Sequence, residues 1–193
     1  CVHEATTVCR ASSAGRRQVR SNETSPAVWL KLNCQVIEKA NTIGARHGIG
    51  IVHLTEDRLV GLKVRGVYEA PGAEILIKAH FNLEKLVNTR DLNELKRIID
   101  EKWAYTCYGA KWFDPSMEAI HAFQDSANQR VTGTVKVKLF KGKADVVALE
   151  SPFSLFDANL ATFNKDASFN QNASAGFIEI YNLAQKTYRR LQT

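Results

Sequence analysis

The run from Gly48 to Pro71, GIGIVHLTEDRLVGLKVRGVYEAP, restricts the fold more than any other part of this chain. It holds two apolar stretches, Ile49–Leu54 and Leu59–Val67, joined by the polar residues Thr55-Glu56-Asp57-Arg58. In the first, Ile49, Ile51 and His53 alternate with Gly50, Val52 and Leu54, which predicts a nearly all-apolar, well-buried strand. In the second, Leu59, Gly61, Lys63 and Arg65 alternate with Val60, Leu62, Val64 and Gly66, which predicts a half-buried one. A short polar connection between two such runs is a hairpin signal. Pro71-Gly72 closes the segment with a turn. Glu56 and Tyr68 fall at the strand margins, where a rigid support can aim a side chain into a cleft.

Length and composition allow one ordinary domain, or one domain with an arm. A chain of 193 residues buries about 70% of its unfolded surface on folding. No stretch approaches the ~20 apolar residues of a membrane span. No segment reads as a signal peptide, so Cys1, Cys9, Cys34 and Cys107 are expected to be reduced thiols of a cytoplasmic protein. They lack Cys/His spacing suited to zinc, and no metal site is expected. The net charge of +6 comes partly from Arg10, Arg16, Arg17, Arg20 and Lys31 at the head. A charge of that size suits a solvated surface, and no nucleic-acid partner is expected.

Residues 1–32 show neither helical nor strand periodicity and read as an unrelated or disordered leader. Val36, Ile37, Ala40, Ile43 and Gly44 then recur at helical spacing, with Gly48 as a stop. After Pro71, Ile75, Leu76, Ala79, Leu83 and Leu86 form a second helical stripe. Thr89 is the expected N-cap of a third helix, with Leu92, Leu95, Ile98, Ile99 and Trp103 inward. Pro115 starts a fourth, with Met117, Ile120, His121 and Phe123 as its apolar face. Val131–Lys141 alternates plainly, Lys141-Gly142-Lys143 turns, and Ala144–Leu149 pairs back as a second hairpin. A turn of helix is expected over Asp157–Phe163. Phe177, Ile180, Tyr181, Ala184, Tyr188 and Leu191 form a terminal amphipathic helix.

The expected class is α+β: two antiparallel hairpins in a sheet packed with several helices, plus a carboxyl-terminal amphipathic helix whose apolar face packs on its own domain or on a neighbour. The expected divisions are a leader over 1–32, a domain over 33–170 and the terminal helix over 171–193.

The pieces HGIG, Glu56-Asp57-Arg58, GLKVRGVYEAPGAEILIKAH, GTVKVKLFKGKADVV, ESPFSLF, LATF and AGFIEIYNL occur in this order. From about Val36 to Gln192 the chain resembles the carboxyl-terminal half of the argininosuccinate synthase family. The resemblance implies ATP-dependent joining of citrulline to aspartate. The ureido oxygen attacks the α-phosphorus, pyrophosphate leaves, and the aspartate amino group displaces AMP. It also implies a homotetramer that uses the carboxyl-terminal region for oligomer contacts, and ATP with Mg bound through an amino-terminal SGGxD[ST] phosphate loop. This sequence contains no such loop and no GxxxxGK[ST]. Gly44–Gly50 is glycine-rich but lacks the strand before it and the Lys-Ser/Thr after it. The piece alone is therefore expected to be inactive, with no catalytic residue of its own.

Two positions match the family's citrulline contacts, Glu56 and Tyr68. On pattern alone Glu56 is a solvated turn acid and Tyr68 an aromatic at a strand end. The resemblance implies instead a carboxylate that pairs with the ammonium or accepts from ureido N–H groups, and a phenol that donates. Three departures remove charge near the hairpin. Ile51 and Leu149 stand where the family commonly has arginine, and His53 where it has aspartate. His47, His53, His80, His121, Arg65, Ser151 and Ser154 show no metal, triad or nucleophile-elbow spacing. The reading from another class is a non-catalytic module that self-associates through its terminal helix.

Overall fold

The computed structural model describes residues 5–11, 26–160 and 169–192. Strand β1 (Ala5–Ala11) precedes helix α1 (Pro26–Arg46), the hairpin β2 (Ile51–Asp57) and β3 (Lys63–Glu69), and helices α2 (Pro71–Val87), α3 (Arg90–Tyr108) and α4 (Pro115–Ala127). The hairpin β4 (Gly133–Phe140) and β5 (Lys143–Glu150) follows, then α5 (Ala173–Tyr181) and α6 (Leu183–Arg190). The class is α+β, as the patterning indicates. The hairpins do not share a sheet, however: β1-β4-β5 form one antiparallel sheet and β2-β3 another.

The core forms where α2 lies on the three-stranded sheet. Ile75, Ala79, Leu83 and Val87 repeat at helical spacing along α2 and are buried against Val135, Val137 and Leu139 of β4, Val131 before it, and Ala144 of β5. The alternation of β4 puts its apolar set inward, while Lys136 of the opposite set is exposed. A bulge between Lys136 and Val137 shifts the register with β5. Helix α1 crosses α2 closely, with Asn41 Oδ1 accepting from the Gly72 N–H at 2.8 Å.

The stretch expected to be an unstructured leader is partly regular. Residues Ala5–Ala11 pair with β4 from Leu139 to Gly133, and α1 begins at Pro26, so one helix crosses the expected boundary at residue 32. A strand added to a neighbour's edge needs backbone hydrogen bonds more than side-chain alternation, and so leaves little trace in the apolar pattern.

Three further expectations are corrected. Strand β2, expected well buried, and β3, expected half-buried, are largely exposed, with Ile51 62% and Val67 63% exposed, since among the described residues no third strand joins the ribbon. In α3 the expected inward Leu95 and Ile98 are exposed, and Lys96 and Thr106 are buried. The terminal helix is two helices, broken where Asn182 Nδ2 donates to the Ile178 carbonyl at 2.8 Å. The helical turn expected over Asp157–Phe163 lies partly outside the described residues.

Residues Phe156–Thr193 form a separate compact unit. Within it the Phe177 and Tyr181 rings stack at 5.2 Å, and Phe177, Ile180, Tyr188 and Leu191 are exposed.

Candidate functional site

The β2–β3 register determines which side chains can meet. Val52 pairs with Tyr68, Leu54 with Gly66 and Glu56 with Val64. Paired residues in an antiparallel ladder share a face, and every second residue along a strand returns to it. Glu56 and Tyr68 therefore lie on one face, two rungs apart, with Gly66 in the rung between them. Tyr68 leans along its strand over Gly66, which brings its phenol toward the Glu56 carboxylate.

Gly66 makes that diagonal reach possible. A Cβ there would stand 2.7 Å from Tyr68 Cε2, 3.0 Å from Cζ and 3.1 Å from Oη. Any side chain at this position would take the space the ring occupies.

The pair has further neighbours. Glu56 Oε1 is shut from solvent without a hydrogen-bond partner, and Arg58 Nη1 lies 3.6 Å away. The Glu56 side chain is 22% exposed, so its carboxylate sits in a partly dry setting. The Tyr68 phenol is held above its ordinary range, first by its hydrogen bond to Glu56, then by desolvation and by the Glu56 charge. Arg58 acts in the opposite direction, and Tyr108 at the end of α3 adds a small upward push. A buried acceptor, a donating phenol and a guanidinium within reach can recognise a polar zwitterion.

The connection expected at Thr55–Arg58 lies further on. Strand β2 continues through Asp57, and the turn runs from Arg58 to Leu62, where the Arg58 N–H donates to the Leu62 carbonyl at 2.8 Å. Gly61, at φ +81°, supplies the left-handed residue this turn needs. Glu56 is thereby held inside a paired strand rather than on a loop.

The other candidate residues are occupied structurally. Arg65 Nε donates to His53 Nε2 on the opposite face of the ribbon. His121 Nε2 accepts from Trp103 Nε1 at 3.0 Å, and His80 Nε2 contacts Glu84 Oε1 at 3.0 Å. The Ser151 hydroxyl donates to the Thr132 carbonyl at 2.6 Å, as a turn residue does. Sequence reasoning missed Arg58, Gly66 and Tyr108. A glycine inside an alternating strand was the available signal for Gly66, since it often marks a close approach. It also missed a buried ionic cluster in which Lys96 Nζ lies 3.0 Å from Glu84 Oε1 and 2.5 Å from Asp100 Oδ2. Gln124 Nε2 donates to Asp100 Oδ1 at 3.0 Å and ties α4 to it.

The described residues do not fit a nucleotide–metal group. None of them forms a group of three or more His, Cys, Asp or Glu placed to hold a cation. The glycine-rich turn before β2 spends its donors internally, with His47 N–H and Ile49 N–H on the Gly44 carbonyl and Gly48 N–H on that of Ala45. Three consecutive amides are thereby taken up within the turn and are not presented to a phosphate. Among the described residues no helix is long and apolar enough to cross a membrane.

The profile described as "Arginosuccinate synthase C-terminal domain" matches residues 24–188, which include the whole ribbon. The chain belongs to the argininosuccinate synthase family. It is 45% identical over 149 residues to the argininosuccinate synthase of Staphylococcus carnosus (strain TM300), covering 77% of this chain and 37% of that protein. With the argininosuccinate synthase of Staphylococcus aureus (strain JH9) it shares 46% over 143 residues, 74% of this chain and 36% of that one. The chain thus spans little more than a third of the argininosuccinate synthases it matches, and corresponds to their carboxyl-terminal portion. The profile match also begins inside the segment expected to be an unrelated leader.

Proposed function

We propose that the Glu56–Tyr68 face is the citrulline wall of an argininosuccinate synthase, a ligase that joins citrulline and aspartate while ATP is cleaved to AMP and pyrophosphate. The observation that carries this reading is that one face of the ribbon holds both the Tyr68 phenol and a Glu56 carboxylate whose Oε1 is buried without a hydrogen-bond partner. Glu56 accepts from the ureido N–H groups or pairs with the ammonium, and Tyr68 turns its donor from Glu56 to the ligand. Arg58, with Nη1 3.6 Å from Glu56 Oε1, holds the carboxylate in position. The phosphate loop and Mg that ATP requires have no counterpart among these residues, so no step through ATP is assigned to them. By this reading the chain alone binds citrulline weakly and does not turn over.

The reading is tested by titrating citrulline into the purified chain and following amide shifts of β2 and β3. Saturable shifts that Glu56→Gln and Tyr68→Phe each weaken about tenfold support it, that being the scale of one charge-assisted hydrogen bond. Shifts insensitive to both substitutions overturn it, and turnover of ATP and citrulline by the chain alone overturns the assignment of inactivity.

A second reading, self-association of a cytoplasmic module through α5–α6, is favoured by the exposed Phe177, Ile180, Tyr188 and Leu191. The family resemblance suggests a homotetramer. Light scattering tests it: Ala184→Asp, on an exposed position of α6, reduces the mass to that of one chain. An unchanged mass refutes it.

A further inference from the structure

Where α2 ends and α3 begins, a groove of about 450 Å³ opens between the two helices, apart from the Glu56–Tyr68 ribbon. Lys85, Arg90 and Arg97 line it, with Glu94 as its one acid. Arg90 Nε already spends its charge on Asp91 at 3.2 Å and on Glu94 at 3.7 Å. Lys85 lies over the Phe81 ring, 4.5 Å from its centroid, which holds it on the groove wall without neutralising it. Arg97 has no ion-pair partner among the described residues. Lys85 and Arg97 therefore face one concave surface without an ion-pair partner among the described residues.

Two observations add direction. Asn88 lines the groove and is 9% exposed, and its Nδ2 is shut from solvent with no acceptor. Buried donors in native proteins nearly always have a partner, and a turn of the Asn88 amide into the groove would give this one an acceptor on a ligand or its water shell. Thr89 caps α3, which places the positive end of a 19-residue helix dipole beside the cations. The buried Glu84 carboxylate on α2, outside the groove lining, is matched by Lys96 and His80 and does not cancel this field.

We propose that this groove is a binding site for a small oxyanion, a phosphate monoester or carboxylate whose body rests on Phe81. Arg97 and Lys85 clamp the oxyanion at the α3 terminus, and the Phe81 ring borders the remainder of the ligand. A volume of this size is in the range that encloses metabolite-sized ligands.

The test uses the full chain in a phosphate-free buffer, titrated with phenyl phosphate, benzoate and inorganic phosphate while amide shifts of residues 85–97 are followed. Saturable binding below about 10 mM by at least one probe is expected. Arg97→Gln combined with Lys85→Gln weakens it about tenfold or more, and Arg46→Gln on α1 leaves it unchanged. Phenyl phosphate binding more tightly than benzoate assigns the site to phosphate esters, and the reverse order to carboxylates. Absence of saturation, or binding that the double substitution does not weaken, overturns the proposal. Both substituted side chains belong to exposed residues, so the fold is retained, which circular dichroism checks.

Discussion

Gly66→Ala separates the geometry of the candidate site from the stability of the ribbon. The added Cβ would lie 2.7 Å from Tyr68 Cε2 and 3.1 Å from Oη, whereas carbon atoms rest at about 3.5–4.0 Å. The ring must withdraw by about 1 Å at its outer edge, which carries the hydroxyl. A phenol–carboxylate hydrogen bond spans about 2.5–3.0 Å and does not survive a displacement of that size. The backbone, by contrast, gains: Ala inside a strand is favoured over Gly by about 0.5–1 kcal/mol. The variant should therefore melt no lower than the parent while its Tyr68 phenol titrates lower, because the raised value rests first on the bond to Glu56. The assay is a pH titration of ring-labelled tyrosine by NMR, with Tyr68→Phe assigning the resonance and Glu56→Gln giving the reference downward shift. Citrulline binding should weaken in parallel. If Tyr68 titrates in the variant as it does in the parent, the account of how Gly66 positions the ring is wrong.

Two further outcomes concern the ionic cluster. Lys96→Met leaves Glu84, 5% exposed, with only His80 opposite it, and should destabilise the chain by about 3 kcal/mol in urea unfolding; a change below about 1 kcal/mol refutes the pairing. Burial alone would raise the Glu84 carboxyl, but contacts with His80 and Lys96 outweigh it and hold the group below its ordinary range. That stability is present above the unfolded value of 4.5 and is lost as pH falls through the lower folded value. Lys96 is held above 10.5, so its share is full below that pH and is lost as pH rises through the raised folded value. Melting temperature against pH should fall at both ends, and the Lys96→Met variant should lose most of the alkaline decline.

Local periodicity made much of the fold legible. The alternation Val135-Val137-Leu139 gives β4 and its buried face, Lys141-Gly142-Lys143 gives the turn, and Thr89 caps α3 by accepting from the Leu92 N–H at 3.4 Å. Each of these is decided within a few residues. The polarity of α3 was not legible in the same way. Its stripe Leu95-Ile98 looks inward on a helical wheel, yet Lys96 is the buried residue, because Glu84 on α2 offers it a carboxylate. The match between Lys96 and Glu84 spans twelve residues and belongs to neither helix's pattern.

The same division holds at the site. The amino-acid order by itself determined that Glu56 and Tyr68 stand on two apolar runs able to pair, and the family resemblance singled those two out. Only the tertiary structure decided that they share a face, through a register that puts Gly66 between them and a turn displaced to Arg58–Leu62. It also decided that the ribbon stands exposed and that β1 joins β4. Side-chain periodicity is a property of one segment, whereas register and burial depend on which distant segment supplies the partner.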